Sequence, residues 1–573
     1  MSVPLLAELQ RRRVFRALIA YAIAAFAVLQ IIEPVMHGLR WPDEVLSYVV
    51  VALGAGFPVV VALAWIFDVN QGRIEKTAGK QVRPGLALVL LGIGLLAAAP
   101  GLLYYFVLRS TPRPPAASAG PSIAVLPFVN LSSDKEQEYF SDGLSEELLN
   151  LLAKVPGLRV AARTSAFAFK GKNEDVGAIA EKLHVATILE GSVRKAGDQI
   201  RITTQLIDAS GGYHLWSETY DRKLTDVFAL QDEIAQAVVA ALKLKLLTAP
   251  SAKGRRTENP EAYNAYLLGK RFFHLNNVDA FGHAVQAYEK SVALDPGYAP
   301  SWAGLALARF WYGQEAESVA AVHDWQERAL AAAEKAVVLG PDLPDGYLAR
   351  GLIRLSVLWD WDRVRSDLDR AVELGPEDVE ALSAAAQLPR TLGKLPQSIA
   401  LFRKAAELDP LNARTWGSLG SAQLFAGQLT AARESLQRSL EISPEQSYTA
   451  GWLGASFLLD GRPAEALAIW QRCSHEVFRL QGAACALHDL GREKESQQAV
   501  GEMIDKYAHD AAYQIAQAFA WRGEKERAFE WLERAFTQRD GGLSIVKTDP
   551  LMRNLRGDPR YAALLKKMNL PAD

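Results

Sequence analysis

The stretch Asn412-Ala413-Arg414-Thr415-Trp416-Gly417-Ser418-Leu419-Gly420, completed by Ala432, Leu436 and Pro444, decides what most of this chain is. Trp416, Leu419 and Gly420 fall at i, i+3 and i+4, the spacing of one helix face. Ala432 and Leu436 mark the inner face of a second helix, which Pro444 stops because proline cannot continue the hydrogen-bond ladder. Gly420 lets the two helices approach closely. A Leu/Ile-x-Pro signal recurs at Pro296, Pro341, Pro376, Pro410 and Pro444, successive prolines lying 45, 35, 34 and 34 residues apart. Helical hairpins of that size cannot bury their apolar faces singly, so neighbours must stack.

A period of about 34 residues is that of the tetratricopeptide repeat, two antiparallel helices per unit. Trp452-Leu453-Gly454 with Ala466 and Trp470 repeats the pattern, as do Ala516, Gly523, Ala528 and Trp531. About eight units fill 258–542, the first two carrying insertions. Residues 543–573, with Thr548-Asp549-Pro550 and Gly557-Asp558-Pro559, are expected to cap the stack.

First helices line the concave face of such a superhelix. Projection places Leu307, Phe310 and Trp311 there, followed by Arg414, Ser421, Leu424, Tyr448 and Leu458. Phe478, Gln481, His488, Tyr513 and Gln517 continue the face. For each, the alternative is packing between repeats. The face lacks the recurring Lys/Asn pattern that grips acidic chain ends. Its mixed apolar and aromatic character suits a helix or extended segment of a protein partner. Cys473 falls at a small packing position and Cys485 at a groove position; they read as two independent thiols.

Composition excludes several classes. A net charge of −2 gives no basic field for nucleic acid. Two cysteines cannot build a disulfide framework or a four-thiolate zinc site. The nine histidines show no paired ligand spacing, so no metal or cofactor is expected.

Three long apolar runs, 14–35, 45–67 and 86–108, open the chain. The third has no charged residue, and its length at 1.5 Å rise exceeds the ~30 Å hydrocarbon core. Residues 1–108 are therefore expected to be a membrane head with three spans. Arg11, Arg12, Arg13, Arg16, Arg73, Lys76, Lys80 and Arg83 lie on one side, against Arg40, Arg109 and Arg113 on the other. That bias puts the N-terminus in the cytoplasm and the later domains in the periplasm of a bacterial inner membrane. Residues 109–121, rich in Pro and Ala, read as a semi-rigid linker.

Residues 122–247 alternate strand and helix patterns in the order βαβαβββα, which suggests helices covering one face of a mixed sheet. Gly197-Asp198 supplies a tight hairpin turn, and Ile200, Ile202, Thr204 and Leu206 alternate with polar residues as in a sheet with one wet face. Leu126-Pro127-Phe128, Tyr139-Phe140-Ser141-Asp142-Gly143-Leu144, Ile188-Leu189-Glu190-Gly191-Ser192-Val193, Gln205-Leu206-Ile207-Asp208-Ala209 and Leu215-Trp216-Ser217-Glu218 resemble a bacterial α/β module. That module is the family of the TolB N-terminal domain and FlgO, commonly followed by tetratricopeptide repeats. Phe67-Asp68-Val69-Asn70-Gln71-Gly72 likewise resembles the head of membrane-bound relatives. The resemblance implies an architecture found elsewhere fused to class III cyclase or winged-helix domains. Neither is recognised here, so it carries over no catalytic residue.

Gly171-Lys172 lacks the glycine spacing of a phosphate loop, and Thr164-Ser165 has no nucleophile-elbow context. Asp142, Glu146 and Glu147 lie around a helix start, where acids stabilise the positive dipole end. The expectation is thus a multi-domain chain: three transmembrane α-helices, a small α/β domain, then an α-solenoid of tetratricopeptide repeats. Its expected function is a membrane-anchored periplasmic scaffold for protein partners, not an enzyme. A transmembrane sensor, its α/β module binding a ligand and signalling through the membrane helices, is the alternative; a hidden enzyme ranks below both.

Overall fold

The computed structural model describes Tyr21, Val28 and Leu53 singly, and residues 67–70, 73–76, 120–244, 256–314, 319–357 and 359–571. The expectation of three transmembrane helices is corrected. Among the described residues, no helix is long and apolar enough to cross a membrane. The runs 14–35, 45–67 and 86–108 themselves lie outside the described residues, apart from Tyr21, Val28, Leu53 and Phe67. Phe67, at the end of the second run, opens a strand: β1 (Phe67–Asn70) pairs antiparallel with β2 (Arg73–Lys76). The longest described helix, Val319–Leu339, carries Asp324, Glu327, Arg328, Glu334 and Lys335. Apolar length states what a segment can span, not which backbone it adopts. The linker at 109–121 also lies outside the described residues up to 119.

The α/β domain begins with β3 (Ser122–Val125) and β4 (Val129–Asn130). Next come α1 (Glu138–Leu152), β5 (Arg159–Val160), α2 (Arg163–Phe167) and α3 (Val176–Leu183). Three ten-residue strands follow, β6 (Thr187–Ala196), β7 (Gln199–Asp208) and β8 (His214–Lys223), and α4 (Val227–Ala241) closes the unit. The sheet order is β5-β3-β6-β7-β8, with β4 also on β6. Pairs among β3, β4, β5 and β6 are parallel; β6–β7 and β7–β8 are antiparallel. Gly197, at φ +62°, takes the left-handed conformation the β6–β7 turn demands.

Helices cover both faces of the parallel half, not one. Ile123, Val125 and Leu189 meet Leu144, Leu148, Ile234 and Val238 of α1 and α4. Ala124 and Ile188 meet Ile179 and Leu183 of α3 on the opposite face. The difference follows from alternation: a strand buried on both sides needs a cover for each. Only the β7–β8 end has the wet face read from the sequence, where Arg201 pairs with Asp221 at 2.7 Å.

Among the described residues, sixteen helices then form eight antiparallel pairs. They are α5 (Pro260–His274) with α6 (Val278–Leu294), and α7 (Ala299–Gly313) with α8 (Val319–Leu339). Next are α9 (Pro344–Val357) with α10 (Trp361–Leu374), and α11 (Val379–Thr391) with α12 (Leu395–Leu408). Then come α13 (Ala413–Phe425) with α14 (Leu429–Ile442), and α15 (Ser447–Leu459) with α16 (Pro463–Gln471). The last are α17 (Glu476–Asp489) with α18 (Glu493–Tyr507), and α19 (Ala512–Trp521) with α20 (Lys525–Gln538). Trp470, fully buried, shows why the small residues matter. A Cβ on Gly454 would come within 2.6 Å of its ring, and one on Gly482 within 2.0 Å.

The α/β domain is built onto the array. A Cβ at Gly143 of α1 would sit 2.5 Å from Leu267 of α5. One turn along, buried Glu146 meets Arg163 at 2.8 Å and Lys270 of α5 at 2.9 Å, while Glu147 adds a second contact to Lys270 at 3.2 Å. Burial works against the Glu146 carboxylate, but Lys270, Arg163 and His274 outweigh it and hold its pKa well below the ordinary glutamate value. A second contact lies farther along: the Ser165 N–H donates to Asp409 at 3.0 Å, and Leu411 N–H donates to Ser165 Oγ at 3.0 Å. Of the acids read as dipole partners, Glu146 and Glu147 are therefore engaged in domain docking, while Asp142 pairs with Lys170 inside the α/β domain.

Glu146→Gln leaves Lys270 only Glu147, and should cost on the order of 2–3 kcal/mol, less than the ~3–5 of a fully orphaned buried charge. Because the folded pKa is depressed, that contribution is full above the unfolded value of ~4.3 and is lost as pH falls through the folded one. Urea melts of both proteins between neutral pH and pH ~3 should show the gap narrowing with acidity.

Candidate interaction groove

Past α20 the chain does not simply lid the last pair, as a terminal cap would. Two 3-10 turns, Gly541–Ile545 and Pro550–Leu555, run back across first helices, and α21 (Pro559–Lys567) then packs on α20 of the last pair. The first turn packs against α9, α11 and α19, and the second against α19. Leu543, Val546, Met552 and Leu555 are fully buried in one core with Trp361, Leu388, Leu458 and Phe519. Repeat eight closes onto repeat three: Trp361 Nε1 donates to the Met568 carbonyl at 3.1 Å, and Phe536 lies 4.9 Å from the Trp359 ring.

One carboxylate anchors this return. Asp549, fully buried, accepts from Tyr513 Oη at 2.8 Å, Gln517 Nε2 at 2.6 Å and its own Leu551 N–H at 2.8 Å. Burial raises its pKa against the pull of those donors. The same burial, with Asp549 beside it, pushes the Tyr513 phenol well up.

The residues projected onto the concave face therefore divide. Phe310, Ser421, Leu424, Leu458, Gln481, Tyr513 and Gln517 are buried. Ser421 accepts from Arg390 at 3.2 Å, so it serves packing between repeats. Leu307, Phe478 and His488 are half-buried, the last 2.8 Å from Glu493. Arg414 is exposed but reaches back to Asn276 of the first repeat at 3.1 Å. Trp311, 41% exposed, stands apart near the start of the array. Both thiols are free and buried; burial raises the Cys485 pKa, which takes it away from any groove chemistry.

A narrow cleft of about 20 Å³ lies between the last first-helices and the returning segment. Tyr448, Gly451, Trp452 and Ala455 of α15, Phe478 and Gln481 of α17, Gln517 of α19 and Leu551 line it. Tyr448 is 37% exposed and stands edge-on to Trp452 at 5.9 Å and to Phe478 at 6.3 Å. Projection along first helices found Tyr448, Phe478, Gln481 and Gln517. It missed Trp452, and it missed Leu551 and Asp549 because they belong to the segment read as a cap. The Asp-Pro at 549–550 is the one local signal, and it marks only a turn start.

Residues 118–237 match the family model described as HilA/YgeH-like transcriptional regulator, second domain, and residues 413–446 match the tetratricopeptide repeat. The chain thus contains tetratricopeptide repeats, and kinship of its α/β domain with the TolB N-terminal and FlgO domains rests on the motifs alone. A protein of Rhizobium meliloti (strain 1021) named "Putative adenylate cyclase 3" is 40% identical over 247 residues, 42% of this chain and 41% of that protein. Among solved structures, a tetratricopeptide repeat protein from Parabacteroides merdae is 12% identical over 45% of this chain and 99% of its own, at a TM-score of 0.34. A thermophilic TPR protein of Thermus thermophilus is 17% identical over 34% of this chain and 99% of its own, at 0.29.

Asp549→Leu leaves the Tyr513 hydroxyl and the Gln517 amide unpaired inside the core. It should lower stability by about 2–4 kcal/mol in urea unfolding, while Asn, which keeps an acceptor, should cost about half as much.

Proposed function

We propose that this chain is a non-enzymatic scaffold that holds a protein partner on the inner side of its repeat array. One observation carries the reading: Tyr448, exposed, and Phe478, half-buried, stand on successive first helices beside a narrow cleft bordered by the returning segment. Exposed aromatics on a rigid frame suit recognition, because they supply large contact area at little cost in conformational entropy. The acids that could have hinted at chemistry support the same reading. Glu146 and Glu147 are taken up by Lys270 and Arg163, and Asp142 by Lys170 at 2.6 Å.

A second reading sets this scaffold within a regulatory protein. It is favoured by the descriptions of the α/β family model and of the Rhizobium meliloti relative, one a transcriptional regulator and the other a putative cyclase. On that reading, partner occupancy is the signal.

The test is lysine-reactive crosslinking of the full chain in its native cells, followed by identification of the attached proteins. One protein recurring near stoichiometry, and absent when the chain is deleted, is the expected outcome. Recovery of nothing beyond the chain itself rejects the scaffold reading.

A further inference from the structure

We infer that two copies of this chain pair through β8, antiparallel about a two-fold axis at Tyr220, so that their sheets join into one. The partner at this surface is a second copy, and nothing bound on the repeat array is involved.

β8 ends the strand order β5-β3-β6-β7-β8, and its substantial neighbours among the described residues are β7 and α4 alone. A ten-residue edge strand carries a row of backbone donors and acceptors that another strand can take up. The register shows which residues hold them. Leu224 N–H donates inward to the Asp198 carbonyl at 2.7 Å. Strand residues alternate, so Ser217, Thr219, Asp221 and Lys223 direct their N–H and C=O outward. The Asp221 carbonyl accordingly accepts from the Arg222 side chain at 3.0 Å. The array docks on α1, α4 and Ser165, which leaves Ser217, Glu218 and Thr219 exposed.

The ends of the strand and its charges fix the axis. The register shifts between Leu206 and Ile207, which bulges β8 at Leu215, and a 3-10 turn begins at Leu224. The regular stretch between them is centred on Tyr220. Pairing about Tyr220 sets Thr219 against Asp221 and Ser217 against Lys223 as hydrogen-bonded pairs. It sets Glu218 against Arg222, once on each side of the axis, in the pairs where side chains come closest. Glu218 has no ion pair within its own chain among the described residues; its carboxylate accepts from Tyr220 Oη at 3.0 Å. The Arg222 guanidinium meets Glu233 at 2.9 Å and, with five donors, can serve a second acid. Moving the axis to Asp221 would set that acid against itself, which destabilises, and moving it to Thr219 would leave Glu218 opposite a tyrosine. Of the three, only the Tyr220 axis joins opposite charges.

Sedimentation equilibrium of the full chain should show a reversible dimer. Glu218→Arg and Arg222→Glu each convert both opposite-charge pairs into like-charge pairs, and each should weaken association about tenfold or more. Mixing the two variant chains brings opposite charges together again at both places, so the mixture should dimerise as the unmodified chain does. Chains that had merely failed to fold would not be rescued in this way. Thr219→Cys, whose two copies share one face beside the axis, should form a covalent dimer with a short bismaleimide. Ser210→Cys, in the turn before β8 and beyond the bulge, should not. A monomer at every concentration, a dimer indifferent to both charge reversals, no recovery on mixing, or equal linkage of the two cysteine variants overturns the proposal.

Discussion

Asp549 on Tyr513 and Gln517 is a small contact, yet the form of the repeat array turns on it. A stack of amphipathic hairpins leaves its inner face and its last pair unburied, and water makes both costly. Here one chain segment meets both needs. Leu543, Val546, Met552 and Leu555 fill the inner face, and Met568 reaches Trp361 to close repeat eight on repeat three. Because the anchor is a buried carboxylate, it must be met by donors, and first helix α19 supplies two from adjacent turns.

The other end is secured by different physics. Glu146 and Lys270 are buried opposite charges, and such a pair holds only if its geometry is good and its remaining valences are filled. Arg163 and Glu147 fill them, while Gly143 lets α1 lie directly on Leu267. With Ser165 also gripping Asp409, the α/β domain touches the array at its beginning and again at the turn before repeat five. The frame that presents the cleft is therefore braced from both ends, and recognition on it need not first order the binding surface.

Much of this was legible residue by residue. The Leu/Ile-x-Pro period and Trp416, Leu419 and Gly420 led to the helical hairpins, because local spacing is all a hairpin needs. The βαβαβββα order led to the mixed sheet for the same reason. The second cover on that sheet was not legible: Ala124 and Ile188 say that a strand is apolar on both sides, but not what lies there. The concave face was half legible. First-helix projection named Tyr448, Phe478, Gln481 and Gln517 of the cleft lining, yet whether Tyr448 or Tyr513 meets its own chain depends on where the segment after α20 comes to lie.

The sequence by itself determined the repeats, the α/β module and the aromatic character of the inner face, all set by short-range periodicity and side-chain chemistry. Only the tertiary structure decided that the turns of 541–555 return into the array, that Glu146 and Glu147 of α1 are docking groups, and that a narrow cleft stays open beside Tyr448. The reason is common to all three. Burial is a property of pairs of distant segments, and no spacing along one segment records which distant segment will cover it.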